Sequence, residues 1–282
     1  MPAASSILVN RGHFMRNNFS EKSAKLKQLI GNYGNAMVAF SGGTDSTLLL
    51  KMVADTLGVD KVLAVTTVSP LLPAAELIEA KNLAKNMGVA HLTLSTGELN
   101  NRDFIGNSRE RCYLCKQIRY SKLLETAEIR GYDVILDGTN AEDELDFRPG
   151  IRALDELGVK TPLREAGLSK AEIRMLAKTF GLNNWQKPSA ACLASRIPYG
   201  ITITEENLLI IEKAEAFLKG LGLGQLRVRH HGNTARIEAE PDEFALITAA
   251  AKQIAAFFKS LGYIYTTLDL QGFRSGSLNE KN

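Results

Sequence analysis

The chain has 282 residues and a formal net charge of +3; 45% of it is hydrophobic and 23% charged. That length suggests about two domains with a core that needs no disulfide staples. So small a charge permits an anionic small molecule and gives no footprint for a long nucleic acid, which requires a concentrated basic face. No run approaches the roughly 18 apolar residues of a membrane span. Ile7-Leu8-Val9 is too short for the core of a signal peptide. A cytoplasmic location is expected, where the three cysteines are not disulfides by default.

Residues 1–20 are polar and mixed, and read as a frayed arm or short helix. Ala36-Met37-Val38-Ala39-Phe40 is a continuous apolar run, as a parallel strand buried on both faces should be. Helical periodicity runs from Ser46 to Leu57. Val62–Thr67 reads as a strand, Ala74–Met87 as a helix and His91–Leu94 as a third strand. Cys112–Arg130 reads as a helix and Val134-Ile135-Leu136 as a fourth strand. This alternation predicts an α/β fold: an open parallel sheet with helices on both faces, joined by right-handed crossovers.

Ser169-Lys170-Ala171-Glu172 is a capping box that predicts a helix to about Phe180. Residues 183–202 read as loop, with Trp185 as core or loop packing. Thr204-Glu205-Glu206 opens another helix, and residues 225–240 form a hairpin turning at Gly232-Asn233. Glu243–Lys259 reads as one helix with a core stripe, and Tyr263–Leu270 as a last strand. The string sets residues 201–282 apart as a small α+β domain for substrate binding or oligomerisation, after a larger domain at 1–200.

Ser41-Gly42-Gly43-Thr44-Asp45-Ser46 lies directly between an apolar strand and a helix. Glycines let the backbone bend tightly and approach a phosphate without a Cβ clash. Successive N–H groups and the helix N-terminus then face the anion. Ser41 and Ser46 add hydroxyl donors, and Asp45 can hold Mg²⁺ against the phosphates. There is no G-K-[ST], so this is not a Walker A loop. Ligands of open α/β sheets bind outside the carboxyl ends of the strands. That rule puts an adenine at Thr66-Thr67-Val68-Ser69 and Asp137-Gly138-Thr139-Asn140 beside the same crevice. The loop resembles the PP-loop of the ATP-pyrophosphatase superfamily, which implies ATP cleavage to AMP and pyrophosphate with adenylation of the substrate.

Cys112 and Cys115 are one helical turn apart, so both thiols share one side of a helix. Cys192 lies in the loop 187–196. Three thiolates without a fourth suit a 4Fe-4S cluster with one open iron. They also suit a redox or persulfide relay, or apolar core positions. The basic neighbours Arg109, Arg111, Lys116 and Arg119 favour the cluster, because positive charge stabilises thiolates.

Further segments make the resemblance specific. They are Leu136–Asp143 followed by Asp146-Phe147-Arg148-Pro149-Gly150, and the loop Ser195-Arg196-Ile197-Pro198-Tyr199-Gly200. With them go Arg227-Val228-Arg229, Ala235-Arg236-Ile237-Glu238 and the end Thr267–Gly276. Together with the loop at Ser41–Ser46 they resemble the LarE family over nearly the whole chain. The resemblance implies a substrate, pyridinium-3,5-biscarboxylic acid mononucleotide. Its ring carboxylates would be adenylated by ATP and converted to thiocarboxylates on the way to the nickel-pincer nucleotide cofactor of lactate racemase. In the branch that sacrifices a cysteine, that cysteine falls on Ala191. Ala191, Cys192 and the pair Cys112 and Cys115 instead resemble the branch that carries sulfide on a 4Fe-4S cluster.

The resemblance also implies roles. Ser41, Gly42, Gly43, Thr44, Asp45, Ser46, Thr66 and Gly138 would bind ATP, with Asp45 on Mg²⁺. Cys112, Cys115 and Cys192 would hold the cluster. By their place in the chain, Ser195 and Arg196, beside the sulfur donor, would bind substrate; Glu144 and Asp146, after the Asp-Gly-Thr-Asn segment, would face the crevice; and Lys116, beside the C-x-x-C, would meet a phosphate. Arg227 and Arg229 alternate on one strand and so share a face, a fork for the nucleotide phosphate; by residue type alone such a pair is an exposed polar strand face. Glu215 and Glu238 match positions associated with a divalent ion; by residue type alone they are surface carboxylates. The expected partners are a nucleotide substrate, sulfide or another sulfur donor, and further copies of the chain. The rival readings are a tRNA thiolase of the same superfamily, a non-catalytic iron–sulfur nucleotide sensor and an amidating PP-loop synthetase, which would need an ammonia source.

Overall fold

The computed structural model describes residues 19–145, 149–188, 191–274 and 276–279. The arm at 1–18, the motif residues Asp146, Phe147 and Arg148, and Ser189, Ala190 and Ser275 lie outside the described residues, as does the side chain of Glu144.

In chain order, helix α1 covers residues 19–31. It is followed by β1 (Ala36–Ala39), α2 (Thr44–Leu57), β2 (Val62–Val68), α3 (Ala74–Asn86) and β3 (Ala90–Ser95). Then come α4 (Arg102–Ile105), α5 (Arg111–Arg130), β4 (Ile135–Leu136), α6 (Pro149–Glu156), α7 (Pro162–Glu165) and α8 (Lys170–Thr179). The last part holds α9 (Glu205–Gly220), β5 (Leu226–His231), β6 (Thr234–Ala239), α10 (Phe244–Ala249), α11 (Ala251–Ser260) and β7 (Tyr265–Leu268). The chain divides into two compact units. One is Met1–Val68, Ala75–Thr96 and Cys115–Ser189; the other is Ser69–Ala74, Gly97–Leu114 and Ala190–Asn282.

The first unit is built on a parallel sheet of order β3-β2-β1-β4. Side chains alternate across a strand. Ala36, Val38 and Phe40 therefore join one apolar cluster with Leu48, Leu49, Leu163 and Ile173. Met37 joins another, on Tyr120, Leu123 and Leu154. Both faces of β1 are buried, which is why its sequence is apolar without interruption. The expected α/β sheet is present. The capping box closes α8: Ser169 Oγ accepts the Glu172 N–H at 3.2 Å, and Glu172 Oε2 accepts the Ser169 N–H at 2.8 Å.

In the second unit β5 and β6 form the expected antiparallel hairpin, and β7 adds parallel to β6. Gly232 takes φ 62° at the turn, the left-handed step that glycine supplies there. Val228, Ile237, Leu218, Ile254 and Phe258 make the core. Two expectations need correction. The helix expected over 243–259 is two helices, because Ala250 leaves the helical range with φ −90° and ψ 7°. Periodicity does not register this break, since Ile247, Ile254 and Phe258 still reach one core. The last strand is also shorter than expected, because pairing with β6 covers only Tyr265–Leu268. Helices α4 and α7, of four residues each, carry too few positions to show a period. No helix among the described residues is long and apolar enough to cross a membrane.

Candidate active site

The loop after β1 folds on its own hydroxyls. Ser41 Oγ and Ser46 Oγ lie 3.1 Å apart, Gly43 N–H donates to Ser41 Oγ at 3.3 Å, and Ser46 Oγ donates to Gly43 O at 3.1 Å. Gly42 has φ 73°, and a Cβ there would sit 3.2 Å from the Ala80 backbone. Sequence reasoning missed Asn184, which braces the loop from a turn far along the chain. Its Nδ2 donates to Gly42 O at 3.1 Å and Thr47 Oγ1 at 2.9 Å, while its carbonyl accepts from Thr44 Oγ1 at 2.8 Å. Thr66 Oγ1 donates to Phe40 O at 2.7 Å and lies 2.8 Å from His91 Nε2, fixing the strand end where the loop begins.

Gly138 packs its α-carbon on the start of α2; an added Cβ would lie 3.0 Å from Ser46 N and 3.1 Å from Ser46 Cα. Both contacts are backbone, so the loop itself must shift. Gly138→Ala should raise the KM for ATP at least about tenfold and cost roughly 1–3 kcal/mol of stability. Initial-rate kinetics and urea unfolding check this, and an unchanged KM would separate Gly138 from the nucleotide.

Asn140 Nδ2 donates to Asp45 Oδ2 at 2.8 Å, and Asn140 N–H donates to Asp143 Oδ2 at 3.1 Å. Burial raises the Asp45 carboxyl above its ordinary value and the Asp143 charge adds to this, while Asn140, Lys170 and Arg174 oppose it. A desolvated carboxylate beside a second one favours a cation. The donor chemistry at Asp45 therefore fits a Mg²⁺–nucleotide.

Lys116 on α5 pairs with Asp137 at 3.8 Å. Asp137 also accepts from the Tyr120 hydroxyl and from the hydroxyl and N–H of Thr139. Burial opposes ionisation of Asp137, but Lys116 and these hydrogen bonds hold it below its ordinary value. The same environment raises Tyr120 well above its ordinary value, by burial first and the Asp137 charge second. The Lys116 cation is thus held at the end of β4, in the turn that presents Asn140 to Asp45.

The second unit gathers the other candidates. Arg196 grips Glu215 with Nε to Oε1 and Nη2 to Oε2, both at 2.9 Å. Its Nη1 donates to the carbonyls of Ala191 at 2.6 Å and Cys192 at 3.0 Å. Arg229 grips Glu238 Oε2 with Nε at 3.0 Å and Nη2 at 2.8 Å, and its Nη1 donates to Ser195 O at 2.7 Å. Ser195 Oγ donates to Cys192 O at 2.8 Å. Two buried arginine–glutamate pairs therefore hold the Cys192 loop to α9 and the hairpin. On residue type Glu215 and Glu238 were surface carboxylates; they are 5% and 0% exposed, because arginines neutralise them. A divalent ion at either would have to displace an arginine. Arg229 is likewise buried rather than on an exposed strand face. Half-buried Arg227 lies over the Phe273 ring at 5.0 Å. Burial, and then the charges of Arg196 and Arg229, bring its guanidinium down to about 10.

Cys112 is exposed; Cys115 and Cys192 are partly exposed; none is in a disulfide. Cys112 and Cys115 sit one turn apart on α5. Among the described residues no three His, Cys, Asp or Glu side chains gather to hold a metal ion.

No family model matches the chain. An uncharacterized protein of Synechocystis is 41% identical over 260 residues, covering 92% of this chain and 97% of that one. The pyridinium-3,5-bisthiocarboxylic acid mononucleotide synthase of Lactiplantibacillus plantarum is 38% identical over 259 residues, covering 92% and 94%. The argininosuccinate synthase of Methanocaldococcus jannaschii is 29% identical over 161 residues, covering 52% of this chain and 40% of that one. The last likeness reflects the PP-loop superfamily at large. The second runs nearly end to end in both chains, and with a parallel sheet carrying the S-G-G-T-D-S loop it shows that this chain belongs to the LarE family.

Proposed function

We propose that the protein is an ATP-dependent sulfur transferase that converts carboxylates of pyridinium-3,5-biscarboxylic acid mononucleotide to thiocarboxylates. The observation that carries this reading is the likeness over 92% of the chain to a synthase of the bisthiocarboxylate. In the first half-reaction a substrate carboxylate oxygen attacks the α-phosphorus of ATP and pyrophosphate leaves. The loop N–H groups from Ser41 to Ser46, with the Gly138 turn behind them, receive the leaving group's charge. Asp45 holds Mg²⁺, oriented by Asn140. Arg227, with Arg229 beside it, binds the 5′-phosphate of the substrate. Lys116 meets a phosphate of the bound nucleotide, and Glu144 is a further candidate for substrate binding. In the second half-reaction a sulfur nucleophile adds to the acyl carbon, and AMP departs with the former carboxylate oxygen.

The sulfur is handled by Cys112, Cys115 and Cys192. Three unbridged thiols fit a 4Fe-4S cluster in donor type, although the described residues do not bring three such ligands together. When bound, the cluster would supply an iron open to hydrosulfide. Ser195 and Arg196 fix the backbone on which Cys192 is presented. Residues 201–282 carry the substrate arginines and serve in oligomerisation, and the enzyme works in the cytoplasm.

The test is anaerobic mass spectrometry of protein and nucleotide after incubation with ATP, Mg²⁺, sulfide and the biscarboxylate. Oxygen-for-sulfur exchange with unchanged protein mass over many turnovers is expected. A protein lighter by one sulfur would mean that a cysteine is sacrificed, and no AMP at all would end the proposal. Cys192→Ser should lose bound iron and sulfur transfer while still binding ATP; full activity without iron would remove the cluster from the reaction.

A further inference from the structure

A buried polar joint in the second unit has no part in the chemistry above. Asn107, between α4 and α5, is fully buried and has φ 55°. A short amide tolerates that left-handed conformation because it bonds locally. Its Nδ2 donates to the carbonyls of Pro198 and Ile201, each at 2.8 Å, and its own carbonyl accepts the Gly200 N–H at 3.1 Å. Its Oδ1 accepts from Arg111 Nη1 at 2.7 Å.

Arg111 is the first residue of α5 and precedes Cys112. It is 5% exposed and lies over the Tyr199 ring at 4.5 Å. The same Nη1 reaches the carbonyls of Ala194 and Ile197, each at 3.1 Å, and Nε is buried without a hydrogen-bond partner. These acceptors are dipoles rather than carboxylates. A guanidinium buried on dipoles is a poor stabiliser, since an apolar residue of similar volume serves stability as well. What it provides is geometry. Ala194 is two residues beyond Cys192, whose carbonyl accepts from Ser195 N–H at 3.0 Å and Ser195 Oγ at 2.8 Å. One guanidinium and one amide therefore fasten the turn carrying Cys192 to the helical turn carrying Cys112.

We propose that Asn107 and Arg111 are positioning residues for sulfur transfer, and that together they set the separation of Cys112 and Cys192. This rests on the reading of those cysteines as the groups that handle sulfur. A small error in placing a reacting group costs rate steeply, roughly 100-fold for about 1 Å.

The test uses two readouts on Asn107→Gly, which keeps the left-handed backbone and removes the amide, and on Arg111→Lys, which keeps the charge and removes the fork. The first is the distance distribution between spin labels on Cys112 and Cys192 in a Cys115→Ser background. It should be narrow in the parent and broader in both variants. The second is thiocarboxylate formed per AMP released, in the unlabelled enzyme. It should fall roughly 10- to 100-fold while AMP formation continues. An unchanged distance distribution overturns the proposal. So does a parallel loss of AMP and product with earlier unfolding, which marks a merely structural role. A broader distribution with unchanged product per AMP overturns the link to sulfur transfer. If the parent itself makes no thiocarboxylate, the proposed function has failed, and the spin-label distances report that separately.

Discussion

Asp45→Asn should abolish formation of AMP and pyrophosphate and also make the ligand-free protein more stable. The first effect follows from removing the carboxylate placed to hold Mg²⁺, and should exceed about 1000-fold in turnover. The second follows from the direction of the pKa shift. Burial and Asp143 raise the folded-state Asp45 above its unfolded value. Its contribution to stability is therefore fully present below the unfolded pKa and is lost as pH rises through the folded pKa. Near neutral pH the ionised carboxylate opposes folding. Asparagine is never ionised and can still accept from Asn140, so the opposition disappears. Relief of about 1 kcal/mol would raise the Tm by roughly 2–4 °C at pH 7–8. The gain should shrink as pH falls below the range of an unfolded aspartate, where the parent carboxyl is protonated in both states. Scanning calorimetry above and below that range, beside a pyrophosphate assay, decides this. Unchanged turnover would remove Asp45 from the metal, and a lower Tm at pH 8 would show that its charge is not a burden on the fold.

Arg196→Met should destabilise the second unit by about 3–5 kcal/mol. It strands Glu215, which is 5% exposed and receives two hydrogen bonds from that guanidinium. It also removes the donor from the carbonyls of Ala191 and Cys192. Adding Glu215→Gln should recover much of the stability. The neutral amide oxygen can still accept the Val228 N–H, which Glu215 Oε1 receives at 3.0 Å, and no buried charge remains unpaired. Sulfur transfer should stay depressed in the double variant, because nothing restores the hold on the Cys192 turn. Urea unfolding of the two single variants and the double one gives the coupling. Additive losses would mean that Arg196 and Glu215 do not act as a pair, and restored transfer would mean that the turn holds its shape without Arg196.

Much of the fold was legible because its signals are local. The run Ala36–Phe40 is apolar on every residue, as burial on both faces of a sheet demands. Glycine at 42 and 232 marks left-handed steps that other residues make with strain. The box at Ser169 and Glu172 announces a helix start from four residues. The strand–loop–helix order at Ser41–Ser46 was enough to expect a phosphate cradle. The break at Ala250 was hidden, because both halves keep the same apolar stripe.

The candidate site divides along the same line. Residue types and spacing determined which side chains were available: a loop of N–H donors, a carboxylate within it, two alternating arginines and three thiols. Only the tertiary structure decided what those groups do to one another. It buried Glu238 completely by setting Arg229 on the neighbouring strand within reach of it, and it buried Glu215 on an arginine 19 residues earlier in the chain. It turned Arg196 toward the backbone of the Cys192 loop, and it made Asn184 and Asn107, unremarked among the letters, the braces of two loops. The physical reason is range. Periodicity and turn sterics act over a few residues and leave their mark in the local sequence. A charge is neutralised and a carbonyl is satisfied by whatever the fold brings within about 3 Å, and that neighbour can come from anywhere in the chain.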